Sequence, residues 1–188
     1  PEITLVAKPI FKDFGGRTAF FGKAITLKTL DDNSKVRSCL ESDGTNKVLV
    51  VDGEGSMNCA LLGGNLVSMA SENNWSGIII NGCVRDQLEI IVEKIGVKAL
   101  AAHPKKSIKN DGGEFNVTLN FANITISDGD FIFPNQINEL TNYVQSIDSE
   151  VNEYSGQLEV KNGELQNDKI TILPVSYTHL RAHETAVN

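Results

Sequence analysis

The sequence is poor in the residues that build disulfide frameworks, histidine metal sites and membrane spans. Its 188 residues include three cysteines and three histidines, and no apolar run approaches the roughly 18–20 residues that cross a bilayer. Cys39, Cys59 and Cys83 are scattered without a CxxC pair, which predicts small buried thiols rather than disulfides or a zinc site. No secretory signal is visible, so we expect a cytoplasmic protein.

Basic charge is also scarce. The chain carries 17 lysines and arginines against 24 aspartates and glutamates, a formal net charge of -7. A nucleic-acid partner would favour a basic face, so we expect no such partner, and the lack of an apolar span predicts no membrane partner. The remaining composition, 40% hydrophobic and 22% charged, is typical of a globular domain, here one domain with an appendage.

Apolar runs of strand length alternate with helical segments. Strands are predicted at 19–28, Lys47–Asp52, 76–81 and 97–103, and helices after the capping turn 31–34, after Asn65 and at 87–94. Such alternation predicts an α/β core. Alternating residues at 114–121 and 124–133 predict two antiparallel strands.

The pattern changes after residue 133. Apolar residues then step by three and four along one predicted helix: Ile137, Leu140, Val144, Ile147, Val151 and Tyr154. This helix either packs on its own domain or forms a coiled coil. Residues 157–173 predict two short strands around Asn162 and Gly163, which is a hairpin signal. Residues 134–174 are therefore interpreted as an appendage of helix and hairpin, with a chimeric junction near Phe133 as one explanation.

The last residues, 175–188, resemble translated adapter DNA and are predicted to lie outside the fold. They contain His179 and His183, whose spacing imitates a metal pair on a helix, but we do not expect these residues to be ligands. His103 is then the one remaining histidine. A histidine-rich zinc site and a catalytic histidine triad are therefore not expected.

Two glycine-rich turns follow the strand Lys47–Asp52. They are DGEGS at 52–56 and GGN at 63–65, and the second precedes a predicted helix. The first turn of a helix has unpaired N–H groups and a positive dipole end, which bind carboxylates or phosphates. Two readings stay open, an anion site or simply tight turns in a compact α/β unit.

Arg85 and Asp86 follow the buried strand 76–81, and ligands collect at the carboxyl ends of strands in α/β sheets. Arginine can fork onto a carboxylate, and aspartate can hold a hard cation. Glu89 lies three residues later, on the same face if a helix begins there. The alternative reading is a surface ion pair.

Five strings carry a family resemblance. FKDFGGRTAFFGKAITLKTLDDN, VLVVDGEGS, AL-x-GG-x-L, G-x-VRD and IGVKALAAHPKKS occur in this order between Phe11 and Phe133. Together they resemble the regulator-of-ribonuclease-activity-A (RraA-like) superfamily. The spacing of Gly64, Arg85, Asp86 and Glu89 resembles its 4-hydroxy-4-methyl-2-oxoglutarate aldolase branch.

The resemblance implies a fold and an assembly. Residues 1–133 would form a compact αββα sandwich of the swivelling β/β/α type, to which the C-terminal helix and hairpin are appended. The chain would form a homotrimer, or a hexamer of stacked trimers, with its sites at subunit boundaries.

The resemblance also implies roles for the residues of the site. Backbone amides of four residues would hold the carboxylate of a pyruvate-like unit: Gly63, Gly64, Asn65 and Leu66. Arg85 would bind the substrate and face its 2-oxo oxygen. Asp86, catalytic together with Arg85, would hold Mg²⁺ or Mn²⁺, and Glu89 would reach the ion through water.

The implied activity is metal-dependent cleavage of 4-hydroxy-4-methyl-2-oxoglutarate-type 2-oxo acids to pyruvate, with decarboxylation of oxaloacetate. The alternative is a non-catalytic regulator that binds and inhibits an RNA-degrading endonuclease. Members of that branch can lack the aspartate after the arginine, so Asp86 favours the enzyme.

Two positions depart from the family pattern. Asn65 stands where many members have an acidic residue, which predicts weaker turnover if that acid orders a metal-bound water. Glu54 replaces a glycine of the usual DGGGS turn, and a non-glycine residue is tolerated there only if φ is not positive.

Overall fold

The computed structural model describes residues 3–134, 160–161, 164–165 and 169–172. Its three helices are α1 (Ser34–Leu40), α2 (Gly64–Glu72) and α3 (Gln87–Ile90). Its strands are β1 (Ile3–Val6), β2 (Lys12–Asp13), β3 (Gly22–Lys28), β4 (Lys47–Asp52), β5 (Ala60–Leu62), β6 (Gly77–Val84), β7 (Gly96–Ala102), β8 (Glu114–Phe115), β9 (Leu119–Phe121), β10 (Ile124–Ile126), β11 (Phe131–Phe133), β12 (Val160–Lys161), β13 (Glu164–Leu165) and β14 (Lys169–Ile172).

One large mixed sheet organises the chain, in the order β1-β14-β11-β3-β4-β6-β7-β2. Its centre, β3, β4, β6 and β7, is parallel, and β5 joins the end of β6 while β8 joins β3. Every residue of β6 is buried, as expected of a strand covered on both faces. The parallel arrangement brings the carboxyl ends of the central strands to one edge of the sheet.

Both faces of the sheet are covered by apolar layers. One core contains residues of all three helices, including Val36, Leu66 and Ile90. The other lies under the small β9–β10 hairpin and contains Leu119 and Ile126. The predicted α/β class is confirmed, as a sheet-dominated fold with few helices.

The four predicted central strands are confirmed, but two predicted helix boundaries are wrong and one strand was not predicted. Helix α2 begins at Gly64 rather than after Asn65, because Gly63 in an extended conformation forms the N-cap. The helix predicted at 87–94 ends at Ile90. The strand Ala60–Leu62, missed in the sequence, pairs with the end of β6.

The two strands predicted at 114–121 and 124–133 are each interrupted. Asn116 has a φ of 57°, which ends β8, and its amide donates to the Thr26 carbonyl. A turn around Gly129, with a φ of 83°, separates β10 from β11. The turn sends β11 into the large sheet beside β3, while β10 stays with β9.

Beyond residue 134 the structure describes only short strands. β12 and β13 pair in antiparallel fashion, with Val160 opposite Leu165, at the position of the predicted hairpin. β14, at the end of the predicted appendage, lies in the large sheet between β1 and β11. The helix predicted at 137–154 and the tail at 175–188 lie outside the described residues. Among the helices described, none has the length and apolar character to cross a membrane.

A buried ion pair fixes the edge strand β2 to β7. The Lys98 side chain is fully buried, and its Nζ lies 2.6 Å from Oδ1 of Asp13, a residue directly opposite it in the antiparallel ladder. Asp13 is a quarter exposed. The free energy of unfolding therefore depends on a carboxylate that compensates a charge without access to water.

Asp32 holds the beginning of α1 against a distant loop. Its carboxylate accepts hydrogen bonds from the amides of Ser34, Asn110 and Gly112 at 2.8–2.9 Å. Burial acts to raise the pKa of this carboxyl, but the hydrogen bonds outweigh burial and lower the pKa to about 2.

Asp32 predicts a specific loss of stability in acid. Its folded pKa of about 2 lies below the ordinary value of 3.8 for an aspartate, so the ionised carboxylate stabilises the fold above pH 3.8. We expect that contribution, on the order of 2 kcal/mol, to be lost as the pH falls from 3.8 towards 2. Urea unfolding measured across this range should show a shallower decline for Asp32→Asn than for the unchanged chain. Parallel curves would contradict the assignment.

The DGEGS turn does require a left-handed conformation at Glu54, whose φ is 56°. The expectation that this position avoids positive φ is therefore wrong. The Glu54 amide donates to Asp52 Oδ1, and Asp52 in turn accepts a 2.7 Å hydrogen bond from Asn81 Nδ2. These hydrogen bonds hold the turn in place, although the left-handed conformation of Glu54 costs free energy.

We expect Glu54→Gly to raise the free energy of unfolding by about 0.5 kcal/mol. A left-handed conformation costs a residue with Cβ roughly 1–2 kcal/mol, and the greater freedom of unfolded glycine offsets about half of that. The Lys28–Glu54 pair at 3.3 Å is half exposed and contributes little. Urea unfolding tests this, with Lys28→Met as the control that removes the ion pair alone. A Glu54→Gly variant less stable than the control would refute it.

Candidate active site

The candidate site lies where β6 ends and α2 begins. The Arg85 amide donates to the Leu62 carbonyl at 2.9 Å, which places the residue after β6 beside the glycines that follow β5. On the other side, the His103 amide donates to the Val84 carbonyl at 2.8 Å. Backbone pairing with both neighbouring strands therefore fixes the position of Arg85.

The Gly63–Gly64 turn is packed too closely for side chains. A Cβ on Gly63 would lie 2.9 Å from both Arg85 Nε and Asp86 Oδ2. A Cβ on Gly64 would lie 2.7 Å from Glu89 Cβ and closer still to its carboxylate. The two glycines are thus required by close approach rather than by backbone conformation.

Asp86 turns its carboxylate back onto this glycine pair. It has a φ of 58°, a left-handed conformation that aspartate tolerates better than most residues. Arg85 Nη1 donates to Oδ1 at 3.2 Å, Nη2 lies 3.1 Å from Oδ2, and the Gly64 amide donates to Oδ2 at 3.3 Å. Both side chains are about one quarter exposed, so the pair remains accessible to a ligand.

The first turn of α2 presents N–H groups to this carboxylate. No side chain caps the helix at Gly63. The Leu66 amide donates to the Gly63 carbonyl at 3.0 Å, and the Gly64 amide donates to Asp86. By position, the Gly64 and Asn65 amides have no acceptor within the helix. The structure therefore assembles a helix N-terminus that already binds one carboxylate.

All seven residues predicted from the sequence come together at this turn: Gly63, Gly64, Asn65, Leu66, Arg85, Asp86 and Glu89. The two alternative interpretations of the sequence, tight turns and a surface ion pair, each account for only part of these contacts. The ion pair is partly buried and sits on a helix N-terminus. The roles given to each residue remain predictions.

The carboxylates suit a hard divalent cation. Asp86 and Glu89 approach neighbouring glycines of one turn, and Mg²⁺ typically binds one or two carboxylates while keeping several waters. Clusters of three or more histidine, cysteine or acidic side chains, as a closed protein cage would need, are absent from the part of the chain described. The donors present fit Mg²⁺ or Mn²⁺ held by one or two carboxylates and water.

A second polar row beside the site was not predicted from the sequence. The Asp31 carboxylate accepts hydrogen bonds from Ser56 Oγ at 2.6 Å and Asn58 Nδ2 at 3.0 Å. The hydrogen bond from Ser56, followed by that from Asn58, holds the pKa of Asp31 below its usual value. The sequence offered only a signal for a turn at 31–34, because the partners of Asp31 lie on the loop before β5.

The cysteines behave as the sequence predicts. Cys59 and Cys83 are buried, Cys39 is partly buried, and all three thiols are free. Burial raises the pKa of Cys39 and of Cys59 to about 11. Such thiols stay protonated near neutral pH and are poor nucleophiles.

Comparison with known proteins agrees with this geometry. Residues 4–136 match the family model RraA-like: Aldolase/RraA. A Deinococcus radiodurans protein named "Putative 4-hydroxy-4-methyl-2-oxoglutarate aldolase" is 52% identical over 127 residues, 68% of this chain and 79% of that protein. A protein of the same name from Alkalilimnicola ehrlichii is 50% identical over 131 residues, 70% of this chain and 81% of that one.

A solved structure is also similar. It is described as the RNA-processing inhibitor RraA from Thermus thermophilis, and it superposes with a TM-score of 0.66 at 46% identity. The match covers 68% of this chain and 78% of that one. The residues that match the family model, 4–136, include the whole segment that builds the candidate site.

Proposed function

Because the chain belongs to the Aldolase/RraA family, we propose that it is a lyase that cleaves 4-hydroxy-4-methyl-2-oxoglutarate-type 2-oxo acids to pyruvate. One observation supports this most directly. Arg85 and Asp86 face the N-terminus of α2 across a glycine pair that admits no side chain. Such a cleft offers an anion-binding helix end, a fixed cation and a carboxylate within one turn.

The helix end would bind the carboxylate of the substrate's pyruvoyl unit. The Gly64 and Asn65 amides are the available donors, since the Leu66 amide already donates to Gly63. Asp86 now accepts the Gly64 hydrogen bond, and a substrate carboxylate would replace it there. Binding would thereby free the Asp86 oxygens for other contacts.

Arg85 would stabilise the charge that develops during cleavage. In the retro-aldol step the 4-hydroxyl group loses its proton to water, and its C4–O bond becomes the carbonyl of the second product as the C3–C4 bond breaks. The electron pair of the broken bond moves onto the pyruvoyl unit as an enolate. Protonation at C3 then gives pyruvate. The Arg85 guanidinium, held by Asp86 and by its backbone pairing to Leu62, provides a fixed positive charge for the enolate oxygen. Decarboxylation of oxaloacetate would leave the same enolate.

Metal dependence is part of the proposal. Asp86, with Glu89 through water, would hold Mg²⁺ or Mn²⁺. When bound, the ion supplies Lewis-acid polarisation of the 2-oxo group. The Asp86 carboxylate would then contact both the metal ion and Arg85. Substitution of Asp86 should therefore weaken metal binding and the positioning of Arg85.

The direct test is pyruvate release by the full chain from 4-hydroxy-4-methyl-2-oxoglutarate and from oxaloacetate, with Mg²⁺ and then with EDTA. We expect turnover that EDTA abolishes and added Mg²⁺ or Mn²⁺ restores. Turnover unaffected by EDTA would refute the metal dependence. No turnover of either substrate by folded, assembled protein would refute the lyase.

The proposal includes a homotrimer, or a hexamer of stacked trimers. Three apolar side chains beside Asp86 are exposed: Leu88 at 86%, Ile91 at 57% and Val92 at 75%. Exposed apolar groups clustered next to a site are typical of an interface. A cytoplasmic location is also proposed, supported by the three free thiols.

We expect Leu88→Glu to reduce the assembly to monomers without unfolding the chain. A carboxylate buried at an apolar interface would lack a partner, whereas on the free surface it remains solvated. Light scattering with circular dichroism tests this, and Lys109→Glu provides an exposed control away from α3. An unchanged assembly in Leu88→Glu would remove this face from the interface.

A regulator of an RNA-degrading endonuclease is the second candidate, favoured by the similarity to the Thermus RNA-processing inhibitor. Asp86 favours the lyase. Co-purification with such an endonuclease, together with inhibition of its RNA cleavage and no pyruvate release, would reverse this order.

A further inference from the structure

A second cavity lies at the opposite end of the sheet from Arg85. Its volume is about 480 Å³, and it opens at the amino ends of β4 and β6. The eight-residue strand β6 begins there at Gly77 and ends beside Arg85, a separation of roughly 23 Å at the usual rise per residue. The cavity is thus a separate place from the candidate active site.

Aromatic rings packed against glycines make the walls of the cavity rigid. The Phe20 ring covers Gly77 and Gly96, which are paired on β6 and β7, and a Cβ on either glycine would overlap the ring. Trp75 covers Gly44 in the same way, and its Nε1 donates to the Ser42 carbonyl at 3.0 Å. These walls exist before any ligand binds, which lowers the ordering cost of binding.

Two cationic side chains, Arg17 and Lys94, lie at the cavity. The amides of Gly16 and Arg17 donate to the carbonyls of Glu93 and Ile95, so the backbone holds Arg17 beside Lys94. Both side chains line the cavity, and the lining contains no carboxylate. Among the described residues, the ion pairs use other cations: Lys28, Arg37, Arg85 and Lys98.

Two acidic groups near the cavity accept hydrogen bonds from hydroxyl groups. The Glu93 carboxylate accepts a hydrogen bond from Ser68 Oγ, and Asp43 Oδ1 accepts one from Thr45 Oγ1 at 2.8 Å. The carbonyls at the end of α2 are also paired, because the Trp75 amide donates to the Ala70 carbonyl. Among the described residues, neither carboxylate forms an ion pair with Arg17 or Lys94, so both cations keep donors for a ligand.

We propose that this cavity binds a small organic anion in which a carboxylate or phosphate is joined to a planar ring. Arg17 and Lys94 would bind the anionic group, and the ring would lie against Phe20 and Trp75. The volume falls within the range of small-molecule sites. The site is independent of the proposed lyase activity, because none of its residues belongs to the Arg85 turn.

Trp75 is the single tryptophan of the chain and lines this cavity, so its fluorescence gives a signal for binding there. Phthalate, phenyl phosphate, inorganic phosphate and neutral benzamide would be titrated into the full chain, with calorimetry in parallel. We expect saturable binding of phthalate or phenyl phosphate, and at least tenfold weaker binding of inorganic phosphate and benzamide. Preference for one of the two ring anions identifies the anionic group.

Variants locate the site. Arg17→Gln and Lys94→Gln should each weaken binding on the order of tenfold, as expected for loss of a charge-assisted contact. Lys109→Gln, an exposed lysine elsewhere, and Arg85→Gln should leave the affinity unchanged. Absence of saturable binding would overturn the proposal, and so would an Arg17→Gln or Lys94→Gln variant that binds as tightly as the unchanged chain. Benzamide or inorganic phosphate binding as tightly as the ring anions would also overturn it. Loss of binding in Arg85→Gln would do the same.

Discussion

Arg85→Ala should lower kcat/KM for pyruvate release by about 100- to 1,000-fold, equivalent to about 3–4 kcal/mol of transition-state stabilisation. Among the described residues, the Arg85 guanidinium is the one cation fixed at the α2 N-terminus, where backbone pairing to Leu62 and contact with Asp86 hold it. Arg85→Lys keeps the charge but loses the fork that contacts both Asp86 oxygens, so we expect an intermediate loss. Steady-state kinetics with 4-hydroxy-4-methyl-2-oxoglutarate measure the effect.

Arg37→Ala is the matched control, because Arg37 is half exposed and pairs with Glu41, the residue that directly follows α1. Its kinetics should equal those of the unchanged chain. Asp86→Asn should reduce activity as strongly as Arg85→Ala and should also weaken Mg²⁺ binding measured by calorimetry. Full activity in either Arg85→Ala or Asp86→Asn would exclude this turn as the place where cleavage occurs.

Asp13→Ala should lower the free energy of unfolding by about 3–5 kcal/mol. The substitution removes the carboxylate 2.6 Å from the fully buried Lys98 ammonium, and removing one partner of a buried ion pair is strongly destabilising. Because Asp13 belongs to the edge strand β2, the loss should also release the N-terminal segment from β7. Urea unfolding gives the magnitude, and hydrogen exchange at β2 and β7 gives the location.

The double variant Asp13→Ala with Lys98→Met separates charge from packing. Methionine fills much of the lysine volume without a charge, so the double variant should be more stable than Asp13→Ala alone. Asp43→Ala, at a carboxylate exposed to solvent, is the surface control and should cost little. An Asp13→Ala variant as stable as this control would show that Lys98 does not depend on Asp13.

The parts of the fold that follow from local sequence were predictable. The strands β4 and β6 are continuous apolar runs, and such runs are typical of parallel strands buried on both faces. The Arg85–Asp86 pair was placed at a strand end for the same reason. The stretch between Gly64 and Arg85 is long enough for one helix and one strand. The chain therefore returns to Gly64 where β6 ends.

The remaining features depend on contacts between distant residues. Asp32 accepts amides from a loop nearly 80 residues later, and no local pattern encodes such a partner. Strand β5 is three residues long and exists because β6 extends beyond β4. The left-handed conformation of Asp86, which aims its carboxylate at Gly64, likewise arises from packing rather than from propensity.

The candidate active site at the Gly63–Gly64 turn has a consequence for inheritance. Its residues all come from one continuous stretch, from Gly63 to Glu89, and its backbone supports are β5, β6 and the beginning of the segment after β7. A recombination event that exchanges either end of the gene leaves this stretch whole. Such an exchange would keep the Gly64–Asp86 and Arg85–Leu62 hydrogen bonds, which depend on residues within or directly next to this stretch.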